Sequence, residues 1–321
     1  MNKLDVRDLV VRYGQLTAVD GVSFGIPPGG TLGLVGESGS GKSTIARAIV
    51  QLARVSRGQI LLDGKDITFA HGANLNKIRS SIQMIFQDPY SSLNPRLSVG
   101  AMIDEVLQRH RNLNAAQRRQ EVGRLLEMVA LDPLSADRYP HQFSGGQRQR
   151  IAIARTLASQ PELVILDEVV SALDVSVQAE ILNLLRDLQR EFNLSFLFIS
   201  HDLSVVRYMS NSVCVMYLGQ IVEWKETEEL FRQPEHPYTQ GLIDSIPKMI
   251  VGGDPNRIPL SGEIPDPHFP PPACRFHTRC PFGPLAHPAR NLCREDDPHL
   301  LIDKSEHYAA CHFPLARKEL A

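Results

Sequence analysis

The chain has 321 residues, of which 43% are hydrophobic and 22% charged, and its 34 Lys+Arg against 36 Asp+Glu leave a formal charge of -2. That balance lacks the basic surplus of a dedicated nucleic-acid binder, and no apolar run nears the roughly 18 residues of a membrane-spanning helix. The start, Met1-Asn2-Lys3-Leu4-Asp5, does not read as a signal peptide, so a cytoplasmic chain is expected. Up to about Ser245, apolar strands alternate with amphipathic helices. Beyond it the composition shifts: 12 of the 22 prolines lie between Pro255 and Pro314, and four of the five cysteines between Cys274 and Cys311. The shift predicts an α/β domain over residues 1–250 and an appendage over 251–321, too short and loop-rich to hold a core unaided. No internal repeat is visible, so a single copy of the main domain is expected.

The strand-like run Thr31-Leu32-Gly33-Leu34-Val35 leads into Gly36-Glu37-Ser38-Gly39-Ser40-Gly41-Lys42-Ser43-Thr44, and Ile45 to Leu52 reads as a helix. This is G-x-x-x-x-G-K-[ST] in its strand–loop–helix setting. The backbone around Gly36, Ser38, Gly39 and Gly41 is suited to wrap phosphates, with the helix dipole adding to the attraction. Lys42 is expected to reach the β/γ-phosphates, with Ser43 on Mg²⁺ and Thr44 beside it. From about Asp88 to Gln142 the chain is polar and helix-rich, with apolar residues at helical spacing over Ile103–Arg109 and Arg118–Ala130. Next, Ser144 and the amides of Gly145 and Gly146 open another helix whose dipole favours an anion. The buried-type strand Leu163-Val164-Ile165-Leu166 ends in Asp167-Glu168. There Asp167 suits a water-mediated Mg²⁺ contact and Glu168 a general base. A last strand, Leu197-Phe198-Ile199-Ser200, delivers His201.

Taken together, Phe143-Ser144-Gly145-Gly146-Gln147 resembles the signature of the ATP-binding-cassette (ABC) ATPases, with Phe for the commoner leading Leu. The resemblance implies a RecA-like P-loop α/β core with an antiparallel β subdomain and a helical subdomain at about 88–155. It also implies that two ATP molecules are sandwiched between head-to-tail cassettes, with Ser144, Gly145, Gly146 and Gln147 serving the facing subunit's ATP. Tyr13 matches the adenine-stacking aromatic, although a strand-core Tyr is the alternative. Gln87 matches the Q-loop that senses Mg²⁺ and the membrane partner, Ser171-Ala172-Leu173-Asp174 matches the D-loop, and His201 the γ-phosphate switch. One departure stands out: Val169-Val170 replaces the family's usual Pro-Thr, losing a hydroxyl and a turn constraint. With Lys42, Gln87, Asp167, Glu168 and His201 all present, a competent site is expected; the alternative is a weak subunit beside an active partner. A soluble non-transport ABC ATPase is a further alternative, but it usually carries two cassettes or a coiled-coil insertion.

The segments Asp88-Pro89-Tyr90-Ser91-Ser92-Leu93-Asn94-Pro95-Arg96 and Glu235-His236-Pro237-Tyr238-Thr239-Gln240-Gly241-Leu242 are similar to those of the oligopeptide, dipeptide and nickel importer ATPases. This implies two transmembrane permease subunits, a second ATPase subunit (a different chain, or a second copy), and an indirect link to a substrate-binding protein. It places the chain peripherally on the cytoplasmic face of the inner membrane, with no nucleic-acid partner. A groove walled by residues near Gln87 to Arg96 and the following helix is expected to take a permease helix.

Cys274, Cys280, Cys293 and Cys311 are spaced C-x5-C-x12-C-x17-C, in a setting where disulfides are disfavoured. Four thiols in a coreless Pro-rich segment suggest a metal staple. Some peptide-importer ATPases carry such a cluster around [4Fe–4S]; Zn²⁺, with His277 and His312 as further candidate ligands, and unliganded thiols are the alternatives. Cys214 reads as a core residue. Every phosphate-reading residue precedes the cysteine cluster by more than seventy positions, so the tail is not expected to touch ATP.

Overall fold

The computed structural model describes residues 2–86, 93–246, 260, 262–302 and 307–315. Its strands are β1 (Leu4–Tyr13), β2 (Leu16–Ile26), β3 (Thr31–Val35), β4 (Val55–Leu62), β5 (Lys65–Asp66), β6 (Ile82–Ile85), β7 (Leu163–Asp167), β8 (Ser195–Ile199), β9 (Ser212–Tyr217), β10 (Gln220–Glu226) and β11 (Tyr308–Ala309). The chain divides into two compact units, one formed by residues 1–27, 31–69 and 198–321, the other by 28–30 and 70–197. The predicted boundary near residue 250 lies outside the described residues.

In the first unit, β1 pairs antiparallel with β2, from Leu4 opposite Ile26 to Tyr13 opposite Leu16, and on its other edge with β4. This four-stranded sheet runs β2-β1-β4-β5. Alongside it, β3 pairs parallel with β9 from Leu32–Ser212 to Val35–Val215, β9 pairs antiparallel with β10, and β10 with β11. This second sheet is therefore mixed. All five residues of β3 are buried, the continuous apolar pattern expected of a strand covered on both faces. The phosphate-loop helix spans Lys42–Ile49, earlier at both ends than the apolar spacing suggests. It stops there because Gln51 turns to a φ of 60°. The Gln51 side-chain amide then donates to the Ile67 carbonyl at 2.7 Å.

In the second unit, β6 and β7 pair parallel, Ile82 opposite Leu163 through Ile85 opposite Leu166. Around them stand helices Gly72–Ser81, Val99–His110, Ala115–Met128, Gly145–Leu157 and Val175–Phe192. The Ala115–Met128 helix starts in a reciprocal capping box between Asn114 and Gln117. It ends two residues before the predicted Ala130, which turns to a φ of 56° while the Leu131 N–H reaches back to the Leu126 carbonyl. Val122, Leu125 and Leu126 form its buried stripe. β8 carries the chain from this unit back into the first. Among the described residues no helix is long and apolar enough to cross a membrane.

Candidate active site and its C-terminal brace

The first unit builds the phosphate loop between β3 and the Lys42–Ile49 helix. Two glycines are dictated by crowding as well as by backbone angle. Gly36 has a φ of 149° and a side-chain carbon there would sit 2.1 Å from the Met216 carbonyl oxygen; Gly41, at 108°, would place one 2.3 Å from that of Ala18. No side chain caps the helix start, and no acidic residue occupies its first turn. The positive end of its dipole therefore meets the loop without a competing side chain, which favours an anion there. Lys42 is buried and its Nζ donates to the carbonyls of Gly36 at 2.7 Å and Glu37 at 2.9 Å. The ammonium is thus held over the loop interior, where an arriving phosphate would meet it. Ser43 and Thr44 follow on the first turn. Tyr13, at the end of β1, is 47% exposed, which suits a stacking ring and removes the strand-core alternative. His201 is exposed, directly ahead of the Leu203–Met209 helix that Asp202 caps by accepting the Ser204 N–H at 2.8 Å.

In the second unit, β7 extends one residue beyond its predicted apolar run, so buried Asp167 is the last strand residue. Glu168 leaves the strand at a φ of 52°, a left-handed conformation uncommon for a residue with a side chain. Strain of this kind persists where surroundings over-determine it. Here the Glu168 carbonyl accepts both the Ser171 N–H at 3.2 Å and the Ser171 hydroxyl at 2.9 Å. Val169 and Val170 are both buried, and the Val170 carbonyl takes the Gln178 side-chain amide at 2.8 Å. The turn that the family closes with Pro-Thr is therefore closed here by apolar burial and by Ser171 and Gln178.

Ser144 caps the Gly145–Leu157 helix in a capping box with Gln147, and both are exposed. A side-chain carbon on Gly146 would lie 2.5 Å from Val177 Cγ1, so the close approach of the Val175–Phe192 helix requires glycine. Gln87, with Asp88 to Ser92, lies outside the described residues. A cavity of about 600 Å³ opens in this unit, lined among others by Arg79, Gln83, Phe86, Glu105, Arg109 and Arg155.

The C-terminal region does not stand clear of the phosphate loop. Arg279 grips the Glu37 carboxylate with both terminal nitrogens, at 2.7 and 3.0 Å. The Tyr238 hydroxyl accepts the Glu37 backbone N–H at 2.9 Å. Phe276, 1% exposed, packs its ring against Tyr217 and Tyr238, centroids 5.3 Å away in each case. Distance along the chain gives no sign of these contacts, because this segment folds back onto β9 and the loop. Arg279 and Tyr238 are the partners of the phosphate loop that sequence reasoning missed. Tyr238 stood inside a recognised motif without a role, and Arg279 was marked only by its place beside Cys280.

The four cysteines of this region lie within electrostatic reach of one another: the Cys274 thiol feels those of Cys311, Cys293 and Cys280. The Cys274 N–H also donates to the Cys293 carbonyl at 3.3 Å. Burial pushes the thiol of Cys280 up to about 11 and those of Cys274 and Cys311 up to about 12. Four neighbouring thiolates are untenable there without a cation, so the donor set fits a thiolate-bound centre chemically. Among the described residues, however, no group of three or more His, Cys, Asp or Glu side chains is arranged as a metal-ion site. His277 holds the Cys274 carbonyl through Nδ1 and His312 the Asp296 carbonyl through Nε2, both at 2.8 Å. All five cysteines are free of disulfides, and Cys214 is fully buried as expected.

A phosphate loop with its helix, a strand-end Asp-Glu pair and a second Ser-Gly-Gly helix start with Ser144 exposed define an ABC-type ATPase. The sequence matches the ABC transporter family over residues 19–171 and the oligopeptide/dipeptide transporter C-terminal region over residues 222–284. It is 50% identical to the oligopeptide transport ATP-binding protein AppF of Bacillus subtilis, over 94% of this chain and 91% of that one. It is also 45% identical to the dipeptide transport ATP-binding protein DppF of Haemophilus influenzae, over 92% and 88% of the two chains. The fold is similar to that of the ATP-binding cassette MJ0796, solved as a dimer in a post-hydrolysis state with ADP and Pi. The TM-score is 0.63 at 27% identity, over 70% of this chain and 98% of that one. The chain belongs to the ATP-binding subunits of the oligopeptide/dipeptide ABC transporters.

Proposed function

We propose that the chain is the ATP-hydrolysing subunit of a peptide importer, coupling ATP binding and hydrolysis to peptide uptake across the cytoplasmic membrane. One observation carries this reading. Besides the phosphate loop, the chain builds a second Gly-Gly helix start, at Ser144–Gln147, whose Ser144 and Gln147 side chains are exposed and which has no phosphate loop of its own. Such an element makes sense when it reads the ATP of a facing ATPase, which is a different chain or a second copy. The dimeric state of the similar cassette supports the arrangement.

Residue roles follow from chemistry. The loop from Gly36 to Gly41, with Lys42 and Thr44, binds the phosphates, and Tyr13 stacks on the adenine. Ser43, Gln87 and, through water, Asp167 would hold Mg²⁺, a hard cation that suits hydroxyl, amide and carboxylate oxygens. Bound there, the metal would neutralise phosphate charge. Glu168 takes a proton from the attacking water, and His201 orients the terminal phosphate. Closure and reopening of the ATPase pair then drive two permease subunits between states, with peptide delivered by a binding protein. The nucleotide-binding domain covers 1–250, with its helical subdomain at about 88–155, and the four-cysteine C-terminal region covers 251–321. The groove beside Phe86 and Arg109 receives a permease helix, which holds the chain peripherally at the membrane. Cys274, Cys280, Cys293 and Cys311 hold a [4Fe–4S] cluster, with Zn²⁺ as the alternative, a reading that rests on four sulfur donors within electrostatic reach of one another.

The test traps the paired state. In Glu168→Gln the carboxylate base is lost while shape is kept, so Mg-ATP should hold the chain and its partner ATPase together in sedimentation. Ser144→Arg in either protein should dissolve that pair. A pair that forms equally well without nucleotide, or that ignores Ser144→Arg, would refute the sandwich.

A further inference from the structure

Glu37 is the one acidic side chain between Gly36 and Thr44, and a carboxylate in a phosphate-binding loop repels the ligand it serves. Arg279 answers it with a bidentate, charge-assisted pair, the geometry for which Arg rather than Lys is suited. The pair is no exposed surface contact: the side chains are 5% and 24% accessible. The Arg279 guanidinium also lies 5.7 Å from the Tyr217 ring centroid, and it donates to the Tyr217 hydroxyl at 3.4 Å. The Tyr238 hydroxyl, accepting the Glu37 N–H, holds the Glu37 backbone as well.

The far end of the loop is held from the same stretch of chain. Arg275 donates to the Leu218 carbonyl and pairs with Asp20. The adjoining Gly219 N–H donates to the Ser40 carbonyl at 2.9 Å, while its own carbonyl accepts the Asp20 N–H at 2.8 Å. Between the two arginines, Phe276 is buried in the aromatic cluster of Tyr217 and Tyr238 and stands 5.7 Å from the His236 ring. The seven residues from Cys274 to Cys280 thus reach the phosphate loop at Glu37 directly and at Ser40 through Gly219.

We propose that Arg279 is a positioning residue for nucleotide binding: by pairing with Glu37 it cancels the loop's own negative charge and fixes its backbone, so that the Cys274–Cys280 stretch sets the affinity of the ATP site. The proposal rests on the ATPase reading above and deepens it. Without Arg279 the Glu37 carboxylate faces the polyphosphate uncompensated, and the loop loses its outer support. The guanidinium touches neither the reacting phosphate nor the attacking water. Its loss therefore acts on binding more than on turnover.

The experiment measures equilibrium ATP binding to the full chain, and KM and kcat in the complex with permeases and partner ATPase. Arg279→Gln should raise the ATP dissociation constant about tenfold, a change of roughly 1.4 kcal/mol. KM should rise in step, while kcat at saturating ATP falls much less. Arg279→Lys, which keeps the charge but loses the fork, should fall between the two. The decisive arm is the double variant. Adding Glu37→Gln to Arg279→Gln removes the charge that Arg279 cancels, and should return affinity to within about threefold of Glu37→Gln alone. Unchanged affinity in Arg279→Gln overturns the proposal. So does a loss that Glu37→Gln fails to relieve, which would make Arg279 a structural prop only. Absence of ATP binding by the unmodified chain would overturn the ATPase reading itself.

Discussion

His236 opens the Pro237–Asp244 helix, its Nδ1 accepting the Tyr238 N–H at 3.1 Å, and its ring is 1% exposed. Burial first, and the nearby His299 second, hold its pKa down from 6.5 to about 3. A histidine depressed in the folded state favours folding above its unfolded pKa, and that contribution drains away as pH falls from 6.5 toward 3. Between about pH 7.5 and about pH 5 the unfolded chain takes up the proton and the folded one does not. By linkage this costs about 2 kcal/mol. His236→Asn retains an N-cap acceptor and cannot titrate, so it should show a pH dependence shallower by that amount. Glu223, pushed up by burial, accepts the N–H groups of Glu235 and His236 in the same pocket and titrates in both proteins, so it drops out of the comparison. Urea unfolding midpoints of the two proteins at the two pH values supply the measurement. Parallel pH dependences would refute the reasoning, since a His236 that stays neutral only in the folded chain cannot give them.

Two further outcomes are expected. Gly146→Ala forces a methyl to within 2.5 Å of Val177 Cγ1 and displaces the Ser144 helix start. Nucleotide binding by the chain alone should survive, while hydrolysis by the assembled pair drops roughly tenfold or more; the comparison of binding with turnover checks it. Protein purified anaerobically should be brown, with about four iron and four sulfide per chain. Cys280→Ser should bleach it and, because Arg279 is the preceding residue, weaken ATP binding as well. Stoichiometric zinc without sulfide would replace the cluster but keep the staple, and four freely alkylated native thiols would remove both.

The nucleotide loop and the Asp167-Glu168 strand end were legible because each is local: an apolar run, a turn chemistry and a helix start, adjacent in sequence. Legibility failed where the determinant is a partner far along the chain. The predicted helix from Ile45 to Leu52 stops at Ile49, where Gln51 turns to a φ of 60° and its side chain bonds the Ile67 carbonyl, a partner no periodicity encodes. Val169-Val170 looked like a lost constraint until Ser171 and Gln178 proved to close the turn. Arg279 and Glu37 stand 242 residues apart, and each alone reads as an ordinary solvated charge. Only the fold of β9 and the aromatic cluster around Phe276 brings them together.

The most direct test of the central claim is ATP turnover in membranes containing this chain, its partner ATPase and both permeases, with and without peptide supplied by the binding protein. Turnover should rise when peptide is delivered and fall by roughly 10²–10⁴-fold in Glu168→Gln, the loss typical of a missing general base. Turnover that is indifferent to peptide, or that survives Glu168→Gln at near-normal rate, would contradict the account.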